Sequence, residues 1–307
     1  YIDDPQAVLI LEGASEDVTK NKIISIDRNN TTINIGSGPV SVKISNLNIS
    51  GGNNGLGIHH SPFTLIDNCI IENQVFIGNN VEIGQGTRIF PGVKVLDDTK
   101  IGKNCIIHSS CSIGSDGFGF VPNDDGSYKK IPQTGNVIIG DNCSIGSNSI
   151  IRNTILKNNI NILDGCVVGK KGFGFFPQNG NNFRFPQIGI VLINDYSEIG
   201  CGSTIDRGSI SNTVIGKNTY LDNQIHIAHN VKIGDNCIIA GQVGFAGSTT
   251  LGNNIMIGGQ AGISGHLKIG NNVQIGGGSG VIKNIPDNSK VMGYPAKDLK
   301  NFIRENK

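Results

Sequence analysis

The stretch LDNQIHIAHNVKIGDN, residues 221–236, sets His226 and His229 three apart, and His266 follows 37 residues beyond the second. An imidazole can take up a proton near pH 7, so each could serve as general base toward an attacking nucleophile. Which of them is placed to do so depends on what the period of the chain brings beside each ring.

An aliphatic residue returns at every sixth position of this stretch. The run holds without a break through Ile215, Leu221, Ile227, Ile233, Ile239, Phe245, Leu251, Ile257, Ile263, Ile269, Ile275 and Val281. The same period links Ile77, Ile83, Ile89, Val95, Ile101, Ile107 and Ile113, and shorter runs hold Ile139, Ile145 and Ile151, then Ile193, Ile199 and Ile205. Gly often follows the aliphatic residue, and a small or β-branched residue stands two places before the next one. Six is neither the 3.6 of a helix nor the 2 of simple strand alternation. It fits a short strand and a turn, with the aliphatic side chain pointing inward and Gly or Asn taking positive φ at the corner. Three hexads, 18 residues, then close one coil, and coils stack about 4.8 Å apart by parallel pairing. Each coil buries its aliphatic residues only against its neighbours. The expected fold is all-β, a parallel β-helix.

Residues 18 apart stand over one another in such a fold. Gly247 falls on His229, and Gly265, followed at once by His266, falls on Gly247. The result is a groove with an imidazole at each end, two coils or roughly 10 Å apart, and glycine backbone between. A glycine over a histidine presents an unobstructed backbone N–H beside a base, the donor that acyl transfer needs for its oxyanion. His229 is therefore expected to be the general base and Gly247 the oxyanion donor. His226, five positions into its hexad, is expected to face outward, and His59, His60 and His108 are expected to be solvated.

Composition narrows the alternatives. Gly accounts for 44 of 307 residues, Trp is absent and aromatics are 6%, which suits many tight turns rather than an aromatic core. With 25 Lys and Arg against 24 Asp and Glu, the net charge is +1, so no polyanion-binding surface and no nucleic-acid partner are expected. The seven cysteines lack C-x-x-C spacing and several fill small slots of the repeat, so they are expected to be reduced core residues. No apolar run approaches a membrane span and no secretory signal pattern opens the chain, which points to the cytoplasm. The chain opens on Tyr1 rather than Met, so residues upstream are expected.

In chain order, GFGF, STIDRGSISNTVIG, LDNQIHIAHNVKIGDN, AGSTTLG, GISGHLKIG and VMGYPAK resemble the hexapeptide-repeat acyltransferases, most closely those that acylate UDP-sugars for lipid A. The resemblance covers about the last two-thirds of the chain. It implies left-handed coils and a reaction that moves a 3-hydroxyacyl chain from the phosphopantetheine of acyl carrier protein to the 2-amino group of UDP-3-O-acyl-glucosamine. It assigns His229 as base and Gly247 as oxyanion donor, and makes Asp222 the acidic partner that orients the histidine. By the same resemblance His266 binds or polarises substrate, Asn223 and Gln224 are further candidates for the same groove, and the chain works as a homotrimer with sites between subunits. No metal and no resident cofactor are expected.

Two features depart from that family. Its N-terminal uridine-binding domain is expected to be absent or truncated here, and residues 1–57 read instead as an atypical β-rich segment. Residues 58–285 read as the β-helix. Within it, excursions near 115–136 and 171–190 are two versions of one aromatic, Pro-containing segment, where the family has one. Only the second leads into STIDRG, so Phe173 and Phe175 are expected on the loop beside the active site. Residues 286–307 read as a helical extension. From Lys283 to Lys307 six cationic residues face three acidic ones, an excess of +3 suited to steering an acidic carrier protein. The competing readings are another sugar N- or O-acyltransferase using acetyl-CoA, and a non-enzymatic structural β-helix. The irregular outward residues from 222 to 266, rich in His, Asp, Asn and Gln, speak against the last.

Overall fold

The computed structural model describes strands at 10–11, 23–25, 32–35, 41–45, 48–50, 57–58 and 63–67, and then residues 69–305 apart from 117–119, 124, 126, 131–134 and 179. His59 and His60 lie outside the described residues. Every hexad residue counted above, from Ile77 to Val281, is buried. The residue just before each, such as Lys232, Ile238 or Met256, points outward. Two-residue strands are long enough because only one side chain in each must point inward.

The chain divides into two units. The first comprises Tyr1–Ser115, Asn136–Ile151 and Lys157–Gly165, and the second Asp116–Gly135, Arg152–Leu156 and Cys166–Lys307. In the first, Glu82–Ile83 pairs with Lys100–Ile101, Arg88–Ile89 with Ile106–Ile107, and Lys94–Val95 with Ser112–Ile113, all parallel and 18 residues apart. Its earliest strands depart from that rule: Ile10–Leu11 runs antiparallel to Ser41–Ser45, and Ile23–Ser25 antiparallel to Thr32–Ile35. The N-terminal segment is β-rich but does not start as regular coils.

In the second unit each coil has three faces. The first face carries Val167–Lys170, Thr204–Asp206, His226–Ile227, Gly244–Phe245, Gly262–Ile263 and Gly280–Val281. The second carries Thr213–Ile215, Lys232–Ile233, Thr250–Leu251 and Lys268–Ile269. The third carries Tyr220–Leu221, Ile238–Ile239, Met256–Ile257 and Gln274–Ile275. The architecture is a parallel β-solenoid. Two hairpins interrupt it, Phe120–Pro122 with Tyr128–Lys130 and Phe175–Gln178 with Asn181–Arg184, within the expected excursions.

The corners differ from the sequence reading in one respect. Positive φ falls every six residues on Asn218, Gln224, Asn230, Asn236, Gln242, Ser248, Asn254, Gln260, His266 and Asn272, so it is not reserved for Gly and Asn. The glycine after the aliphatic residue serves another purpose: a β-carbon on Gly234 would lie 2.3 Å from the Gly252 carbonyl oxygen. Coils could not stack at their spacing with a side chain there.

The helix expected at the C-terminus is there as the short Leu299–Glu305, while among the described residues of 286–307 Lys290–Met292 and Lys297–Asp298 form an antiparallel pair on the third face. Pro286, Gly293 and Pro295 interrupt any longer helix, and Val291 finds a ready strand partner in Ile275. Six of the cysteines are buried and Cys201 is half-buried at a turn. Among the described residues no helix is long and apolar enough to cross a membrane.

Candidate active site

The corner between the first and second faces holds His229, Asn230, Gly247, Ser248, Gly265 and His266. Ser248 N–H donates to the His229 carbonyl at 3.0 Å, and His266 N–H to the Gly247 carbonyl at 3.0 Å. Gly247 stands on His229, as the 18-residue count requires, and His266 stands one place around the corner from Gly265. The packing at Gly247 is close: a β-carbon there would lie 2.7 Å from His229 Cε1 and 2.8 Å from Nε2. The Cε1–Nε2 edge of the imidazole lies against the glycine, and a side chain there would push it away. Among the described residues the Gly247 N–H makes no hydrogen bond, while its neighbours Ala246 and Ser248 donate theirs along the ladder. It is free to donate to a ligand.

The opposite edge of the ring meets the second hairpin. A β-carbon on Gly172 would lie 2.8 Å from His229 Cβ and 3.1 Å from Cδ2, so His229 is held between two glycines from distant parts of the chain. Phe173 and Phe175 are on this loop as expected. They stack edge to face at 5.1 Å, with Phe173 largely exposed, and the Arg184 guanidinium lies 4.4 Å above the Phe175 ring. Arg184 also donates to the Gly172 carbonyl at 2.7 Å, pinning the loop over the histidine.

The motif STIDRG anchors the hairpin from below. Four extra residues expand this corner, so that Thr204 pairs with His226 at a separation of 22 rather than 18. The buried Arg207 donates to the carbonyls of Gly189 at 2.6 Å and Ile188 at 3.1 Å, closing the hairpin's return. Asp206, fully buried, forms an ion pair with Lys170. Burial first, and then the Arg207 and Arg184 charges, lower the proton affinity of Lys171. From the same bulge Ser209 N–H donates to Asn230 Oδ1 at 2.8 Å, and Asn230 Nδ2 donates to Ser209 Oγ at 2.6 Å and lies 3.2 Å from His229 Nδ1.

Three expected site residues lie elsewhere in the coil. Asp222, Asn223 and Gln224 occupy the corner between the third and first faces, one strand before His229, because seven residues exceed a single hexad. Asn223 Nδ2 donates to Asp222 Oδ1 at 2.9 Å, and Gln224, Gln242 and Gln260 form a ladder with bonds of 2.9 Å. A shallow groove of about 510 Å³ runs beside them, lined by Asn223, Gln224, Gly241, Gln242, Gly259 and Gln260. Within one chain they share no groove with His229. His226 faces outward and bonds Thr204 Oγ1 at 2.7 Å, while His108 is half-buried and stacked on Phe90 at 5.0 Å rather than freely solvated.

Beside the His229 corner the first face is bare. Beyond His226 its outward column is Gly244, Gly262 and Gly280, and a β-carbon on either of the first two would meet nothing within 4 Å. On Gly280 it would strike the Tyr294 ring, 2.2 Å away. A strip of exposed backbone thus leads away from the histidine and ends under Tyr294. Among the described residues no three His, Cys, Asp or Glu side chains gather as metal ligands would.

The six-residue repeat has known counterparts. The model of the bacterial transferase hexapeptide (six repeats) matches residues 80–115 and 212–247, the second of which contains His229 and Gly247. Over those two stretches the chain matches bacterial transferase hexapeptide repeats. It is 46% identical over 163 residues to UDP-3-O-acylglucosamine N-acyltransferase of Caulobacter vibrioides (strain NA1000 / CB15N), which is 53% of this chain and 48% of that one. Over 92 residues it is 45% identical to the enzyme of the same name from Rhodopseudomonas palustris (strain TIE-1), 30% of this chain and 25% of that one. The chain spans about half or less of the length of these curated relatives. Among solved structures, UDP-N-acetylglucosamine O-acyltransferase from Moraxella catarrhalis RH4 aligns at 22% identity and a TM-score of 0.46, over 78% of this chain and 76% of that one.

Sequence reasoning missed Gly172, Gln187 and Asn230. The first two stand in the hairpin, where no six-residue count applies. The buried arginine in STIDRG was the available signal that a loop is clamped there.

Proposed function

We propose that the hexapeptide repeats of this chain form an acyltransferase of the UDP-3-O-acylglucosamine N-acyltransferase type, acting in the cytoplasm in lipid A biosynthesis. A 3-hydroxyacyl group would pass from the phosphopantetheine thioester of acyl carrier protein to the 2-amino group of UDP-3-O-acyl-glucosamine. The observation that carries this reading is the His229 ring seated on Gly247 with that glycine's N–H unpaired. The amine attacks the thioester carbonyl, His229 takes the proton it sheds, and the Gly247 N–H donates to the oxyanion. Collapse of the intermediate expels the thiolate, which recovers the proton from the imidazolium, leaving an amide and free carrier thiol. Aminolysis of a thioester by this route calls on no metal or resident cofactor.

The other roles follow from the same reading. Asp222 would stabilise the charged form of His229 from a second copy of the chain, since its own corner lies a face away, and a homotrimer supplies that copy. Asn223 and Gln224 would then line the same intersubunit groove. His266 holds the substrate, and Phe173 and Phe175 flank it from the hairpin. The glycine strip from Gly244 to Tyr294 leaves room for an acyl chain, which favours a long-chain donor over acetyl-CoA. The C-terminal lysines attract the acidic carrier.

The test is mass spectrometry of the products formed from 3-hydroxyacyl carrier protein and UDP-3-O-acyl-glucosamine. N-acylated product from the wild type, lost in His229→Ala, is the expected result. No product from the wild type would defeat the reading.

A further inference from the structure

The base His229 has a protonation problem in the site as described. Asn230 Oδ1 already accepts from Ser209 N–H at 2.8 Å and from Ser211 Oγ at 3.3 Å, which fixes the amide with its Nδ2 toward the ring. Asn230 Nδ2 therefore donates to His229 Nδ1 at 3.2 Å, and a neutral ring accepting there carries its proton on Nε2. A nitrogen that already bears hydrogen cannot take one from an amine.

A second partner waits on the ring's other edge. Gln187 is 5% exposed, and its Nε2 donates to the Phe185 carbonyl at 3.5 Å, which turns its Oε1 the other way. That Oε1 is buried and has no hydrogen-bond partner among the described residues. It faces the space over Gly172, where a β-carbon would lie 3.2 Å from Oε1 and 3.1 Å from His229 Cδ2. Such an unpaired buried acceptor is costly, and native structures pair it unless it has a use.

We infer that Gln187 is the positioning residue that makes His229 a base, by accepting Nδ1–H when the imidazole is turned by half a rotation about χ2. The turn exchanges Nδ1 with Cδ2 and brings the Nδ1–H to the edge that faces Gln187 Oε1. It also exchanges Nε2 with Cε1, and because these lie 2.8 and 2.7 Å from the same point over Gly247, a nitrogen remains beside the oxyanion donor. That nitrogen now has a free lone pair. Asn230 gives up one long bond and keeps Ser209 Oγ at 2.6 Å, with Ser248 Oγ at 3.5 Å. No other group has to move for the ring to pass between an idle and a competent state. The glycines at 172 and 247 present no side chain to the ring, and the buried amide oxygen shares the space over Gly172 with the edge that the turned ring presents. This rests on the reading of His229 as general base.

The test uses the full chain labelled with ¹⁵N-histidine, in which the His229 signals are those lost in His229→Gln. The wild type should show His229 with its proton on Nδ1. In Gln187→Met, which keeps the volume but removes the acceptor, the proton should move to Nε2, kcat should fall roughly tenfold to a hundredfold, and KM should stay within about twofold. Gln187→Glu, which restores an acceptor, should return the Nδ1 proton and most of kcat. Should Gln187→Met fail to fold, wild type and Gln187→Glu decide alone, since both must hold the proton on Nδ1. A wild-type ring protonated on Nε2, or a tautomer and kcat unchanged in Gln187→Met, overturns the inference. The tautomer is read without turnover, so a wild type that makes no product sinks the functional reading and leaves the Gln187 result standing.

Discussion

Two corners of the same coil start from one backbone and end in different chemistry. At the corner between the third and first faces, Asn223, Gly241 and Gly259 stack as His229, Gly247 and Gly265 do at the next. The N–H groups of Gly241 and Gly247 are alike in making no bond among the described residues. An available donor is thus a general property of this turn and marks no site by itself. The difference lies in the side chains. Gln224, Gln242 and Gln260 satisfy one another in a ladder, whereas at the other corner a ring lies on a glycine and beside a buried amide with nothing to bind. A corner becomes a site when its polar groups are left incomplete and held in place.

Substitutions can break that contrast. The largest effect is expected from His229→Ala, about a thousandfold in kcat with little change in melting temperature, since the ring is only half-buried and makes no core contact. Gly247→Ala should follow, on the order of a hundredfold, because its methyl group must displace the ring or the donor. Gly259→Ala at the comparison corner, with its methyl 3.2 Å from the Gly241 carbonyl oxygen, should leave kcat within about twofold. Equal losses in the two glycine variants would mean that the turn itself, and not the imidazole, matters. Gly262→Leu places a side chain on the bare strip and should cut kcat/KM about tenfold more for long acyl donors than for short ones in competition assays. Gln260→Met, which removes the last rung of the ladder at an exposed edge, should cost about 0.5 kcal/mol in urea unfolding and at most about threefold in rate.

The core was legible from spacing because each inward position is filled by the same kind of residue at a constant interval. Ile227, Phe245 and Ile263 could be counted without knowing where any strand began. Gly247 over His229 follows from the same count. Asp222 could not be assigned by it, since seven residues cross a corner and corners change direction. Gln187 was invisible for a different reason. It stands in a hairpin whose length bears no relation to six, and its meaning comes from Arg207 and Arg184 folding that hairpin back over the ring. A helical extension is the sequence expectation over 286–307, but Val291 could extend the third face, and there a strand with a partner prevailed over local preference.

The placement of the second hairpin bears on how such a chain can change over generations. Leu156 still pairs with Ile193, and Val168 with Ile205, although some twenty residues intervene beyond one coil. Length is free at corners and quantised on faces. An insertion of any size at a corner leaves each later residue over its old neighbour, whereas one extra hexad would carry His229 a third of a turn away from Gly247. Lineages built on this scaffold can therefore gain loops, lids and whole coils in small steps, but can shift their active corner only by a change that abolishes it first.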